Sequence, residues 1–133
     1  MTDGSVKSKG AISKTTFEEA LSLVRSEVDR TLSASPSIVR RYTKHLASSR
    51  GKFIRAVSLL TCAQDQDGRV HGNAVGFAAA IEILHLATLV HDDVIDDADI
   101  RRGLPTLQKE YGKRTAVICG DYLLCIALKV AAG

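Results

Sequence analysis

From about Asn73 to Ala98 the sequence keeps a helical period without a break, with Val75, Ala79, Ile83, Leu86 and Val90 recurring along it. The run then ends in acid. Asp92, Asp93, Asp96 and Asp97, with Asp99 just beyond, crowd its carboxyl end, and Arg101 and Arg102 follow at once. At about 100° per residue Asp92 and Asp96 project from one side a turn apart, and His85 lies on that side two turns earlier. Two carboxylates so placed repel each other, and negative charge at a helix C-terminus opposes the macrodipole by roughly 0.3–1 kcal/mol per charge. One reading is a charged helix end exposed to water. The other is a divalent cation between the acids. Hard oxygen ligands suit magnesium that keeps some waters and takes further ligands from a phosphate, and the adjoining guanidinium groups suit bidentate contacts with that phosphate.

The remaining chain also reads as helix. Thr16-Phe-Glu-Glu19 has the form of a capping box, and Phe17, Leu21, Val24, Val28 and Leu32 predict a helix from Phe17 to about Leu32. Pro36 is placed to begin a short second helix with Ile38, Val39, Tyr42 and Leu46 on one face and basic residues on the other. Ser48-Ser-Arg-Gly-Lys52 is a turn, Ile54, Val57, Leu59 and Leu60 lead a third helix to about Gln64, and Asp65-Gln-Asp-Gly68 ends it. Arg101 to Thr106 reads as a loop, followed by a short turn to Gly112 and a last helix from Thr115. No run of period-two alternation predicts a strand. The expected class is all-α, with residues 1–16 a flexible leader and 17–133 one helical domain.

Composition narrows the function classes. A formal charge of +3 on 133 residues, with scattered basic residues and no recognisable motif, does not argue for nucleic acid. Cys62, Cys119 and Cys125 lie in apolar surroundings without a Cys-x-x-Cys pair, which predicts buried free thiols in a reducing cytoplasm rather than disulfides or zinc. Met1 to Ser13 has no apolar core and so is not a secretory signal. Thr115 to Ala132 has the length of a membrane span, but Asp121 and Lys129 would each cost about 2.5–3.5 kcal/mol in a bilayer, so a buried protein helix is expected.

Five motifs then fall into register. Gly51-Lys-Phe-Ile-Arg55, Glu82-x-x-His85, Asp92-Asp-Val-Ile-Asp96, Arg101-Arg-Gly-x-Pro-Thr106 and Gly120-Asp-Tyr-Leu123 occur in the order and spacing of trans-type polyprenyl diphosphate synthases, which this chain resembles from about Phe17 onward. The resemblance matches the first half or less of such an enzyme. It implies an isoprenoid-synthase-like helical bundle, incomplete at the C-terminus, that works as a homodimer or with a second subunit. Of the family's two aspartate-rich motifs only the first, Asp-Asp-x-x-Asp, is present.

Carried over residue by residue, the resemblance makes Asp92 and Asp96 magnesium ligands for an allylic diphosphate, with Asp93 supporting them and Arg101 clamping the same diphosphate. It makes Gly51, Lys52, Arg55, His85 and Arg102 the pocket for isopentenyl diphosphate, Gly51 letting the backbone approach the anion. The implied reaction is prenyl transfer. Magnesium and arginine stabilise the departing pyrophosphate, and the double bond of isopentenyl diphosphate attacks the allylic carbon. Phe53 and Ala56 depart from the arginine and proline the family often carries there, which removes one charge near the second diphosphate. Small Ala87 and Thr88, ahead of Asp92, imply an open cavity and a long-chain product. A helical module that binds diphosphate without turnover is the alternative. His91 and Asp121 are assigned no chemistry.

Overall fold

Glu19 N–H donates to Thr16 Oγ1 at 3.2 Å while Thr16 N–H donates to Glu19 Oε2 at 3.1 Å, so the expected capping box opens the first helix, α1 (Phe17–Ser33). The structure is a computed structural model that describes residues 13–48 and 51–133. Along α1 the fully buried side is Ala20, Val24, Val28 and Leu32, at the i, i+4 spacing that a core-facing stripe requires. After Pro36 the chain turns into α2 (Ser37–Ser48), where buried Thr43 donates to Leu32 O at 3.2 Å and so ties α2 to the end of α1.

Helix α3 (Ile54–Cys62) is two residues shorter than its sequence pattern predicts, and Ala63 closes it. The long helix α4 (Gly72–Ile95) starts on a His71 cap, whose Nδ1 accepts from Asn73 N–H at 3.2 Å. It stops at Ile95 rather than Ala98 because Asp97 takes a left-handed φ of 54°. A short α5 (Leu107–Tyr111) and the last helix, α6 (Lys113–Ala132), follow.

Helix α4 is the spine. It packs against α6, α1 and α3, and its Ala78, Ala79, Ile83, Ala87 and Val90 share one buried cluster with Ala116, Cys119, Leu123 and Ala127 of α6. Alanines at this contact let the two backbones approach closely. Leu60, Ile83 and Leu123 are wholly buried, each stabilising the fold by roughly 1.5–3 kcal/mol. By length and composition both α4 and α6 could cross a membrane, but in this fold each buries one face against the other. The opposite faces are apolar and exposed: Phe77, Ile81 and Leu84 on α4, and Ile118, Leu124 and Leu128 on α6. The expected buried helix at the end of the chain is therefore buried on one side only.

Three sequence expectations need correction. Strands are present: β1 (Lys14–Thr16) pairs antiparallel with β2 (Arg69–His71), and β3 (Ile100–Arg101) with β4 (Leu104–Pro105). Ladders of two or three residues are too short to show alternation, which is why the pattern missed them. Residues 1–12 of the expected leader lie outside the described residues, but Lys14 to Thr16 belong to the fold, and Lys14 Nζ pairs with Asp65 at 2.8 Å. Of the three free cysteines only Cys119 is buried, whereas Cys62 and Cys125 are exposed.

Candidate functional site

The five aspartates at the end of α4 divide by partner. Asp93 is 7 % exposed and receives three hydrogen bonds of 2.7–3.0 Å from Nε and Nη2 of Arg101. Asp97 pairs with Lys113, and Asp99 with Lys109 at 3.7 Å. Asp92 and Asp96 are exposed and make no ion pair among the described residues. The two acids left over are thus the pair one helical turn apart. Both are near enough to Arg101 for their charge, after that of Asp93, to help hold its pKa above the usual guanidinium value.

The carboxylate of Asp93, expected beside Asp92 and Asp96 at a metal, is instead bonded to Arg101 in this structure. Among the described residues no group of three acidic, His or Cys side chains could hold a metal ion. The sequence carried a signal for this. Asp93 lies in phase with buried Val90, Ile83 and Ala79, so it points into the core and needs a cation there, while Asp92, one residue earlier, does not.

Arg101 and Arg102 sit on a β-hairpin rather than a loop. Arg101 pairs with Leu104, and the two residues between them, Arg102 and Gly103, have φ of 52° and 78°, the signs that a type I′ turn demands. Left-handed backbone at arginine costs roughly 1–2 kcal/mol, which tertiary contacts must offset. Several do. Thr106 Oγ1 donates to Ala98 O at 2.7 Å, Gln108 Nε2 donates to Asp93 O at 2.8 Å, and the ring of His45 bonds Pro105 O at 2.8 Å through Nε2.

The strained turn carries Arg102 to the other cluster. A cavity of about 580 Å³ is lined by Gly51, Lys52, Arg55, Glu82, His85 and Arg102, with Phe53, Leu86 and Leu89 among its apolar walls. All five residues expected to form one pocket do meet there. Asp92 and Asp96 do not line it; Arg101 and Arg102, adjacent on the hairpin, link the acidic helix end to the cationic cavity. Gly51 is also constrained by packing. A Cβ there would lie 2.8 Å from the Arg102 guanidinium nitrogens, so its bareness admits Arg102. Phe53 is buried with φ 56°, and the Arg25 guanidinium lies over its ring at 5.0 Å.

Glu82 organises the cavity, a part not read from its sequence. Its buried carboxylate accepts the Ala56 N–H at 2.8 Å, at the start of α3, where Phe53 supplies no side-chain cap. A carboxylate at a helix N-terminus is favourable by dipole as well as by hydrogen bond, and here it fixes the Lys52–Arg55 segment against α4 one turn before His85. Burial, and then the charge of Arg55, hold the His85 pKa below the usual imidazole value.

Residues 36–133 match the model of the family described as polyprenyl synthetase. The chain belongs to this family. Its relatives include a heptaprenyl diphosphate synthase component 2 of Geobacillus stearothermophilus, 38 % identical over 85 % of this chain and 35 % of that protein. An all-trans-nonaprenyl-diphosphate synthase of Rhodobacter capsulatus is 37 % identical over 75 % of this chain and 31 % of its own length. Among solved structures, a heptaprenyl diphosphate synthase from Staphylococcus aureus superposes with a TM-score of 0.79 at 31 % identity, covering 90 % of this chain and 38 % of that one. The all-α bundle is thus the family's fold. The chain spans about a third of the length of the curated relatives it matches.

Asp92 and Asp96, without an ion pair among the described residues and a turn apart, would offer a magnesium ion two hard oxygens and leave room for waters and phosphate oxygens. A zinc- or calcium-type cage would need more protein ligands than are gathered here.

Proposed function

We propose that this chain supplies the first diphosphate-gripping half of a prenyltransferase that condenses isopentenyl diphosphate with an allylic diphosphate. The observation that carries the reading is the meeting of Lys52, Arg55, His85 and Arg102 in one cavity, joined through the hairpin to the unpaired acids Asp92 and Asp96. Cations from two segments, Lys52 with Arg55 and Arg102 of the hairpin, converge beside His85 on a concave space whose acid, Glu82, is bonded to Ala56 N–H, which fits a diphosphate. In this reading Lys52, Arg55, His85 and Arg102 bind the diphosphate of isopentenyl diphosphate. Asp92 and Asp96 hold magnesium, which neutralises the leaving pyrophosphate of the allylic substrate. Asp93 positions Arg101, whose remaining N–H groups bind that same pyrophosphate. Leu86 and Leu89 give the cavity a dry wall beside the reacting carbons.

Exposed Thr88, small and four residues ahead of Asp92, favours a long product, in keeping with the heptaprenyl and nonaprenyl synthases among the relatives, whereas Ala87 is buried in the core cluster shared with α6. The second aspartate-rich helix would come from further chain or from a partner. Two relatives are named as component 2 of a heptaprenyl diphosphate synthase, which favours a two-component enzyme as the second reading.

The test has two arms. Calorimetric titration of the 133-residue chain with isopentenyl diphosphate should show saturable binding that falls about 10- to 100-fold in Lys52→Ala and Arg55→Ala, the loss expected for charge-assisted hydrogen bonds. Incubation with farnesyl and isopentenyl diphosphates plus magnesium should give product only when the protein is extended downstream or supplied with a second subunit. Absence of binding, or binding that ignores both substitutions, overturns the proposal; binding without turnover in every combination favours the non-catalytic module.

A further inference from the structure

Helix α2 carries its charge on one side. Its sequence, Ser37-Ile-Val-Arg-Arg-Tyr-Thr-Lys-His-Leu-Ala-Ser48, contains no acid. Its inner side is set by buried Thr43 and Leu46, so Ile38, Arg41 and Lys44, spaced i, i+3, i+6, point outward, with Arg40 beside them. None of the three cations forms an ion pair among the described residues. Of the acids on neighbouring elements, Glu110 of α5 pairs with His45 of α2 and Glu27 of α1 with Arg30, and neither forms an ion pair with Arg40, Arg41 or Lys44 among the described residues.

Two details set this face apart from an ordinary solvated helix. Ile38 is 80 % exposed, more than any other large apolar side chain among the described residues, and it stands one turn from Arg41. The Arg41 guanidinium is held over two rings, those of Tyr42 and Tyr111, each at 5.3 Å, and a shallow groove beside it is lined by Arg40, Lys44 and Tyr111. An exposed isoleucine among unpaired cations, with tyrosine behind them, is a combination water does not favour but an interfacial layer does. The isoleucine enters the acyl boundary, the cations meet phosphate, and the aromatic–arginine stack lies at headgroup depth.

We propose that the outward face of α2 docks on an anionic phospholipid surface. The link to prenyl transfer rests on the function proposed above: a long polyprenyl diphosphate is an amphiphile, so the reaction that consumes it belongs in a bilayer, and a synthase resting there releases product into it. The binding itself does not depend on that reading and is measured without turnover.

Cosedimentation of the whole chain with phosphatidylcholine vesicles, with and without phosphatidylglycerol, tests it. Binding is expected only with the anionic lipid, and it should weaken as salt is raised. Arg41→Gln and Lys44→Gln should each lower partitioning about fivefold. Ile38→Ser should lower it further at unchanged charge, with circular dichroism confirming that each variant is folded. The proposal is overturned if phosphatidylglycerol makes no difference, if the variants bind like the parent, or if polyglutamate or RNA is bound as well as the vesicles with no effect of Ile38→Ser. Failure here leaves the titration with isopentenyl diphosphate unaffected, so the two readings fail separately.

Discussion

Asp93 and Arg101 are joined by three hydrogen bonds of 2.7–3.0 Å, a side-on clasp through Nε and Nη2 that pins the β3–β4 hairpin to the last turn of α4. Because Asp93 is buried and its guanidinium partner is only partly exposed, this clasp is structural and sets where Arg101 points. Asp93→Asn should therefore destabilise the chain by about 1.5–3 kcal/mol, the range for hydrogen bonds to charged groups. Asp92→Asn and Asp96→Asn break no ion pair among the described residues, and the repulsion they relieve offsets the attraction to Arg101 that they lose, so they should leave stability within about 0.5 kcal/mol while abolishing magnesium-dependent pyrophosphate binding. Urea midpoints and calorimetry on the three variants separate the roles. Equal stability for all three, with metal dependence lost in Asp93→Asn alone, would return Asp93 to the ligand set.

His85 gives the pocket a pH signature. Burial and the positive charge of Arg55 lower its folded-state pKa beneath the ordinary imidazole value near 6.5. A base with a depressed folded pKa binds fewer protons folded than unfolded, so its contribution to stability is complete above the unfolded value and is lost as pH falls below it. A diphosphate in the cavity reverses the local field, so binding should take up a proton and raise the His85 pKa. An NMR titration of the imidazole with and without pyrophosphate reads this directly. A His85 resonance whose midpoint does not move on saturation would place the anion elsewhere.

What could be read from the sequence followed the length of the repeat. The helix from Phe17, with its Thr16–Glu19 box, and the long helix to the aspartates were both predicted because several turns of apolar spacing reinforce one another. The members of the cationic pocket were legible only through the family's motifs; nothing local in Lys52 or Arg55 says that α3 will carry them to His85. Missed features were short or decided by long-range packing. The β3–β4 hairpin has two residues per strand, and its turn places arginine where asparagine or aspartate is the usual signal. Exposure of Cys62 and Cys125 depends on which face of α3 and α6 meets α4, a question that apolar neighbours in sequence do not answer.

The cysteines supply a chemical check on that packing. Burial pushes the Cys119 thiol up to about 11, so almost none is thiolate at neutral pH, whereas Cys62 and Cys125 are open to reagent. Treatment of the folded protein with a thiol-specific disulfide reagent should modify Cys62 and Cys125 quickly and Cys119 only on unfolding. Peptide mapping after brief exposure identifies the sites. Early labelling at Cys119 would mean that α6 does not rest on α4 as described.

Gly120 is the most demanding point of the α4–α6 contact. A Cβ there would lie 2.3 Å from His91 Nε2 and 2.4 Å from its Cδ2, well inside van der Waals contact. The ring cannot simply swing away, because Nε2 bonds Val117 O at 3.2 Å and faces Asp121 Oδ1 at the same distance. Replacing a mid-helix glycine by alanine ordinarily gains about 1 kcal/mol in helix propensity. Here overpacking costs about 1–3 kcal/mol and the lost hydrogen bond adds to it, so the clash wins and Gly120→Ala should be destabilising. His91→Ala should cost less, since it removes a half-exposed ring. The double variant tells steric conflict from a general intolerance of α6: with the imidazole gone, the added methyl has room, and Gly120→Ala on the His91→Ala background should be neutral or stabilising. A thermodynamic cycle with a coupling of 1 kcal/mol or more is expected from residues in contact. Additive losses would mean that His91 does not lie on Gly120 and that the acidic end of α4 is held against α6 by other contacts.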